Sequence, residues 1–215
     1  MKLRNKHIIT VFFVFSAAFF TSNAKAELVT IAIEATVNYV SDSGNYLEGK
    51  ITNGSIITGS YTYESTTADS SSEDPIVGDY WHYGLPCGAS LTVGGFEFKT
   101  NPADVQFLVE IINDSTSGGL HDTYLWRSYS DLPLSNGTAV YETSWQLRYS
   151  NAAIFSSDAL PTTAPVLSQW QTNELRLEGD RTFLIRAEVT NAALIPEPTT
   201  ILLFGLGTMF LRKRL

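Results

Sequence analysis

Leu28-Val29-Thr30-Ile31-Ala32-Ile33-Glu34-Ala35-Thr36-Val37-Asn38-Tyr39-Val40 decides the fold class. Val29, Ile31, Ile33, Ala35, Val37 and Tyr39 recur at every second position, which is the period of a strand with one buried face and not of a helix. The same reading extends outward along the chain. Residues 57–63, ITGSYTY, are β-branched and aromatic. Residues 91–93 and 96–98 flank Gly94-Gly95, a pair free to take the positive φ values of a two-residue hairpin turn. Residues 105–112 form an apolar run of the length expected for a strand buried on both faces. Tyr80-Trp81-His82-Tyr83 reads as a half-buried aromatic strand, and residues 123–129, 140–149, 174–177 and 182–190 as further strands. Asn53-Gly54 and Asn136-Gly137 mark turns between them. About nine strands at spacings of roughly ten to twenty residues predict an all-β domain, a single antiparallel β-sandwich of jelly-roll type, with a closed barrel as the alternative.

The two ends of the chain follow other rules. Lys2, Arg4 and Lys6 precede the apolar run 8–20, and Ala24-Lys25-Ala26 puts small residues where a signal peptidase reads. Residues 1–26 are therefore expected to be a secretory signal peptide, removed after Ala26. At the other end Pro196-Glu197-Pro198 breaks any regular element, the uncharged run 199–211 follows, and Arg212-Lys213-Arg214 closes it. About thirteen helical residues reach roughly 20 Å, short of a ~30 Å hydrocarbon core, but the three cations can snorkel and act as a cytoplasmic stop. Residues 196–215 are expected to form a short transmembrane helix that anchors a precursor in the inner membrane, leaving 27–195 as one folded domain.

The order Pro196-Glu197-Pro198, short glycine-containing apolar run, terminal basic cluster resembles the PEP-CTERM sorting signal of Gram-negative bacteria that make extracellular polysaccharide. The resemblance implies that Pro196, Glu197 and Pro198 are read by an exosortase, a membrane-embedded cysteine transpeptidase-like enzyme, and that 199–215 is lost or exchanged on processing. It also implies export, then display at the cell surface or release into the extracellular matrix. Residues 59–65, 91–98 and 156–163 resemble phrases that recur in this order in exported bodies with the same signal. That likeness implies a shared β-sandwich and carries no catalytic residue.

Composition bounds the function of the body. Residues 27–198, which keep the Pro196-Glu197-Pro198 tripeptide, hold seven Lys and Arg against twenty-two Asp and Glu, a net charge of about −15. This balance argues against nucleic acid and anionic membrane surfaces, which need a positive footprint, as partners of the body. Cys87 is the single cysteine, so no disulfide within the chain supports the fold, and it is expected as a small buried residue.

Candidate chemistry is sparse. His82 and His121 are the body's only histidines, no G-x-S-x-G elbow is present, and no cluster has zinc-ligand spacing. The polar stretch 64–74, ESTTADSSSED, is expected as an exposed loop, with Asp69, Glu73, Asp74 and Asp79 as weak calcium candidates that lack glycine-punctuated spacing. Trp81, Trp126, Trp145 and Trp170 can form a core or stack on sugar rings, and Trp81 and Trp126 are the candidate carbohydrate contacts. The sequence reading is thus an exported structural or adhesive protein with no cofactor and no catalysis, processed by signal peptidase and exosortase. The alternative is a carbohydrate-binding module or carbohydrate-active enzyme working on extracellular polysaccharide.

Overall fold

The computed structural model describes residues 27–117, 119–151 and 154–196. The expected signal peptide with Ala24 and Ala26, the sorting residues Glu197 and Pro198, the expected transmembrane helix and Arg212, Lys213 and Arg214 lie outside the described residues. Ten strands follow one another: β1 (Leu28–Ser41), β2 (Ile56–Glu64), β3 (Val77–His82), β4 (Gly88–Val93), β5 (Phe96–Lys99), β6 (Phe107–Ser115), β7 (His121–Ser128), β8 (Glu142–Tyr149), β9 (Thr172–Glu178) and β10 (Leu184–Ile195). A single 3₁₀ turn, Leu167–Gln169, precedes β9.

The expected two-sheet jelly roll is corrected. All ten strands belong to one antiparallel sheet in the order β3-β6-β7-β8-β9-β10-β1-β2-β4-β5, curled into a half-barrel. The reason lies in β1, which hydrogen-bonds to β10 along one edge and β2 along the other, so the two halves never separate into layers. Register shifts against β10 at Glu34/Ala35 and Val37/Tyr39 add twist and bend where the curl needs it. The second shift also turns Tyr39 outward, to 47% exposure, although strict alternation would bury it.

The concave face is the core. Tyr61 on β2 meets Trp126 on β7 at 5.1 Å and Trp145 on β8 at 6.0 Å between ring centroids, and its hydroxyl lies 2.9 Å from that of Tyr124. β2 and β7 stand far apart in strand order, so these contacts exist only because the sheet folds back on itself. Burial pushes the Tyr61 and Tyr124 phenols well above their ordinary pKa. Each therefore stays neutral, and the pair satisfies two polar groups that would be costly if left alone. β6 is buried on both faces only at Phe107, Leu108 and Val109; its Asn113–Ser115 end is more open.

The Gly94-Gly95 turn joins Val93 to Phe96 as expected, with φ of 58° and 82°. Beyond it the end of β5 meets the segment after β7: Leu132 donates to the Lys99 carbonyl and Asn101 to that of Ser130, both at 2.8 Å, and Thr100 bridges Asp131. This seam partly closes one end of the half-barrel. It is lined by buried Thr100, Ser128 and Thr143; Thr100 Oγ1 lies 2.7 Å from Ser128 Oγ, which donates to Asp131 Oδ1. Asp131 Oδ2 is buried and has no hydrogen-bond partner among the described residues.

Burial pushes the Asp131 carboxyl up to about 6, against the Ser128 hydroxyl, which favours the anion; the Glu142 charge adds to the rise. The protonated form is thus preferred by the fold, and its contribution is complete below pH 4 and lost as pH rises through 6. Asp131→Asn should raise the melting temperature at pH 8 by the equivalent of about 1–2 kcal/mol and give a vanishing difference near pH 4. Thermal unfolding followed by circular dichroism between pH 4 and pH 8 measures this; a difference that does not vary with pH would refute it.

Candidate functional site: an aromatic strip on the convex face

β3 sends Gly78, Tyr80 and His82 inward, so Val77, Asp79 and Trp81 point to the convex face. Tyr83, two residues beyond Trp81, keeps that parity just past the strand end and is 72% exposed. The Trp81 and Tyr83 rings lie 6.0 Å apart with only 5° between their planes, and the Tyr129 ring lies 5.5 Å from Trp81 at 26°. Tyr129 follows β7 and is tied to the residue just before β6 through its N–H, donated to the Gln106 carbonyl at 2.9 Å. Three nearly parallel rings from two separate parts of the chain therefore stand together on the outer surface.

Charged groups border the strip by register. Trp81 is paired with Leu108, and Leu108 with Arg127. Arg127 donates through Nη1 to the Tyr129 hydroxyl at 3.2 Å and lies 3.9 Å, through Nε, from Glu142. One row along, Asp79 stands opposite Glu110. Burial raises the Glu110 carboxyl above the usual range, the Asp79 charge raises it further, and Arg127 opposes both. Aromatic faces beside a guanidinium and carboxylates can stack on the apolar face of a sugar while bonding its hydroxyls.

The other sequence candidates sit elsewhere. Trp126, expected as a carbohydrate contact, is fully buried against Tyr61 and Phe107 on the concave face and has no ring surface to offer a ligand. Its immediate neighbour Arg127 points the other way, as strand alternation requires. Trp145 is also core, and Trp170 packs on Phe155 at 5.5 Å.

The acidic stretch, expected as an exposed loop, caps the edge of the sheet, and the weak calcium candidate Asp69 is engaged by backbone N–H groups. Asp69 Oδ1 accepts the N–H groups of Ser71 and Asp79, both at 2.8 Å, while Ser70 donates its N–H and hydroxyl to the Asp79 carbonyl at 2.9 Å. These bonds occupy the exposed backbone of edge strand β3. Asp74 accepts from the Ile76 N–H, and among the described residues no three metal-type side chains converge.

His82 Nε2 accepts the Glu64 N–H at 3.1 Å and lies 3.0 Å from the Thr67 hydroxyl. Burial holds its pKa below the ordinary value. His121 Nδ1 bonds the Gly119 carbonyl at 2.7 Å. Cys87 is buried, as expected, and burial pushes its thiol up to about 11, which leaves little thiolate.

Sequence reasoning passed over Glu110, Glu142 and the joint role of Tyr83 and Tyr129. The i, i+2 pairs Trp81/Tyr83 and Arg127/Tyr129 were readable as shared faces. Their apposition needed the β3–β6–β7 register. Missed as well was Asp122, a fully buried carboxylate that accepts three backbone N–H groups, from Asp114, Ile154 and Phe155, at 2.8–3.0 Å, and so fastens the segment after β8 to β7. Because Asp79 and Arg127 act on Glu110 with opposite sign, Asp79→Asn should lower the Glu110 pKa and Arg127→Ala should raise it. Carboxyl ¹³C NMR titration reads both, and shifts of the same direction would contradict the arrangement.

Residues 194–214 match the PEP-CTERM protein-sorting motif, and Leu194, Ile195 and Pro196 are the part of it among the described residues. No curated protein and no solved structure matches the chain. The chain carries a PEP-CTERM sorting signal at its C-terminal end, the mark of an exported protein processed by an exosortase.

Proposed function

We propose that the all-β body is a non-catalytic, adhesive module of the cell surface or of the extracellular polysaccharide matrix, delivered there through its sorting signal. The observation that carries this reading is the strip of Trp81, Tyr83 and Tyr129 with Arg127 at its border. Tyr83 and Tyr129 are exposed and Trp81 is half-buried between them, and contiguous aromatic surface of this kind suits the apolar face of a pyranose. The body's net charge of about −15 disfavours polyanionic glycans, so the ligand is an uncharged polysaccharide. Membrane attachment through 199–211 holds the precursor until it is processed.

A second reading, a carbohydrate-active enzyme, draws support from one feature. Asp79 and Glu110 are opposed carboxyls beside the strip, and one of them holds its proton more readily than usual, as an acid–base pair does. Loss of polysaccharide cleavage in Asp79→Asn and Glu110→Gln, with binding kept, would favour that reading over adhesion.

Two measurements test the main proposal. Intact mass of the protein from its native host should show loss of 1–26 and a change at the C-terminal segment. The second change should disappear in cells without exosortase and in a variant with Pro196, Glu197 and Pro198 all replaced by alanine. Trp81→Ala combined with Tyr129→Ala should weaken retention on uncharged extracellular polysaccharide by about tenfold, the worth of two stacking contacts of roughly 0.5–1.5 kcal/mol each. Unchanged retention by a variant with the wild-type circular dichroism spectrum would rule the strip out.

A further inference from the structure

β10 continues five residues past the strand expected from sequence, to Ile195, because Asn191 to Ile195 stay paired with β1: Asn191 opposite Glu34, Leu194 opposite Ile31 and Ile195 opposite Thr30. Its other edge is different. Pairing with β9 ends at Ala187 opposite Leu175. At Val189 a side chain takes over from the strand, with Asn173 Nδ2 donating to the Val189 carbonyl at 2.7 Å and Oδ1 accepting its N–H at 3.3 Å. Beyond that point no group among the described residues hydrogen-bonds the β9-side edge of 191–195, although Leu167, Ser168 and Trp170 line an open cleft beside Val189 and Thr190.

The other two edges of the sheet are covered in part: Asp69 and Ser70 occupy that of β3 at Asp79, and β5 is short and runs into residues 130–132. The β10 edge lacks two of the usual protections, since Thr190-Asn191-Ala192-Ala193-Leu194-Ile195 contains no charge and no proline; the register shift at Thr190 bends the strand only where the overhang starts, and Leu194 and Ile195 are about half exposed, at 46% and 45%. The sorting motif begins at Leu194, so its first two residues are the last two of this strand.

We propose that the free edge of residues 191–195 is the docking strand for the processing exosortase, which lays an extended segment of its own beside β10 and thereby holds Pro196-Glu197-Pro198 in place for cutting. Strand addition suits the site, because backbone groups supply affinity without any demand on side-chain charge. The proposal rests on the reading that this motif is processed. A second copy of the chain is the competing occupant. Antiparallel β10–β10 pairing would send the two Pro196 ends in opposite directions, which two precursors anchored in one membrane cannot do.

The full chain is followed in its native host by the rate of precursor-to-mature conversion. Insertion of six Gly/Ser residues between Ile195 and Pro196 takes the motif out of step with the docking strand and should slow conversion about tenfold, and Asn191→Lys with Ala193→Lys, which block the edge outside the matched motif, about fivefold. Resistance of the body to added protease verifies that each variant folds. Wild-type or faster conversion of both variants overturns the docking proposal. So does a concentration-dependent dimer of the mature protein that the lysine variant abolishes without slowing conversion. Replacement of Pro196, Glu197 and Pro198 by alanine separates the two readings: blocked conversion there, with normal conversion in the other variants, removes only the docking strand, whereas normal conversion there removes the processing reading itself.

Discussion

A single sheet has two faces and no second layer to cover either, so this protein depends on bringing one face of the sheet against itself. The contact of Tyr61 with Trp126, Trp145 and Tyr124 is where that happens. Large aromatic rings suit the task, since each reaches across the hollow of a curled sheet and brings a large apolar area with it. Most of the polar tips find partners: Tyr61 meets Tyr124, Tyr63 donates to the Pro161 carbonyl, and Trp145 Nε1 donates to Asn173 Oδ1, while Trp126 Nε1 is buried with no partner among the described residues. With one cysteine, buried and unpaired, this packing and the ladder hydrogen bonds hold the body together.

Curling leaves edges, and much of the polar chemistry of the chain attends to them. The stretch richest in acidic and hydroxyl side chains caps β3; the seam of Thr100, Ser128 and Asp131 joins the end of β5 to the segment after β7. Carboxylates that look like ligands in one dimension are acceptors for backbone N–H groups in three. Asp122, with three such bonds, is the fullest case. The overhang of β10 has no such cap among the described residues, and its last two residues are the first two of the sorting motif.

The convex face carries the aromatic strip on which the proposed adhesive role rests. Its strip of three rings costs the fold solvent-exposed apolar surface and contributes nothing to the concave core, which separates it from the other tryptophans. Its charged border of Arg127, Glu142 and Glu110 is built by three adjacent strands, β6, β7 and β8, so the geometry is as rigid as the ladder beneath it. A site on a stiff, open surface is suited to holding a long polymer and poorly suited to enclosing a small molecule.

Period-two alternation in residues 28–40, the Gly94-Gly95 turn and the recurrence of short β-branched runs determined from sequence alone that the body is all-β, and the tripeptide, apolar run and basic cluster determined its address. Those features are local, and local backbone preference suffices to specify them. Tertiary structure decided the rest. Whether β1 bridges two halves or belongs to one of two layers is a matter of long-range pairing with β10 and β2, which leaves no mark in strand periodicity. Trp126 and Trp81 are equally aromatic and equally strand-borne, yet one lies inside and one outside, because the face a residue takes depends on which side of the sheet curls inward. Asp69 and Glu110 are chemically close relatives, but one serves an edge and the other a surface row, because only the register says what stands opposite them.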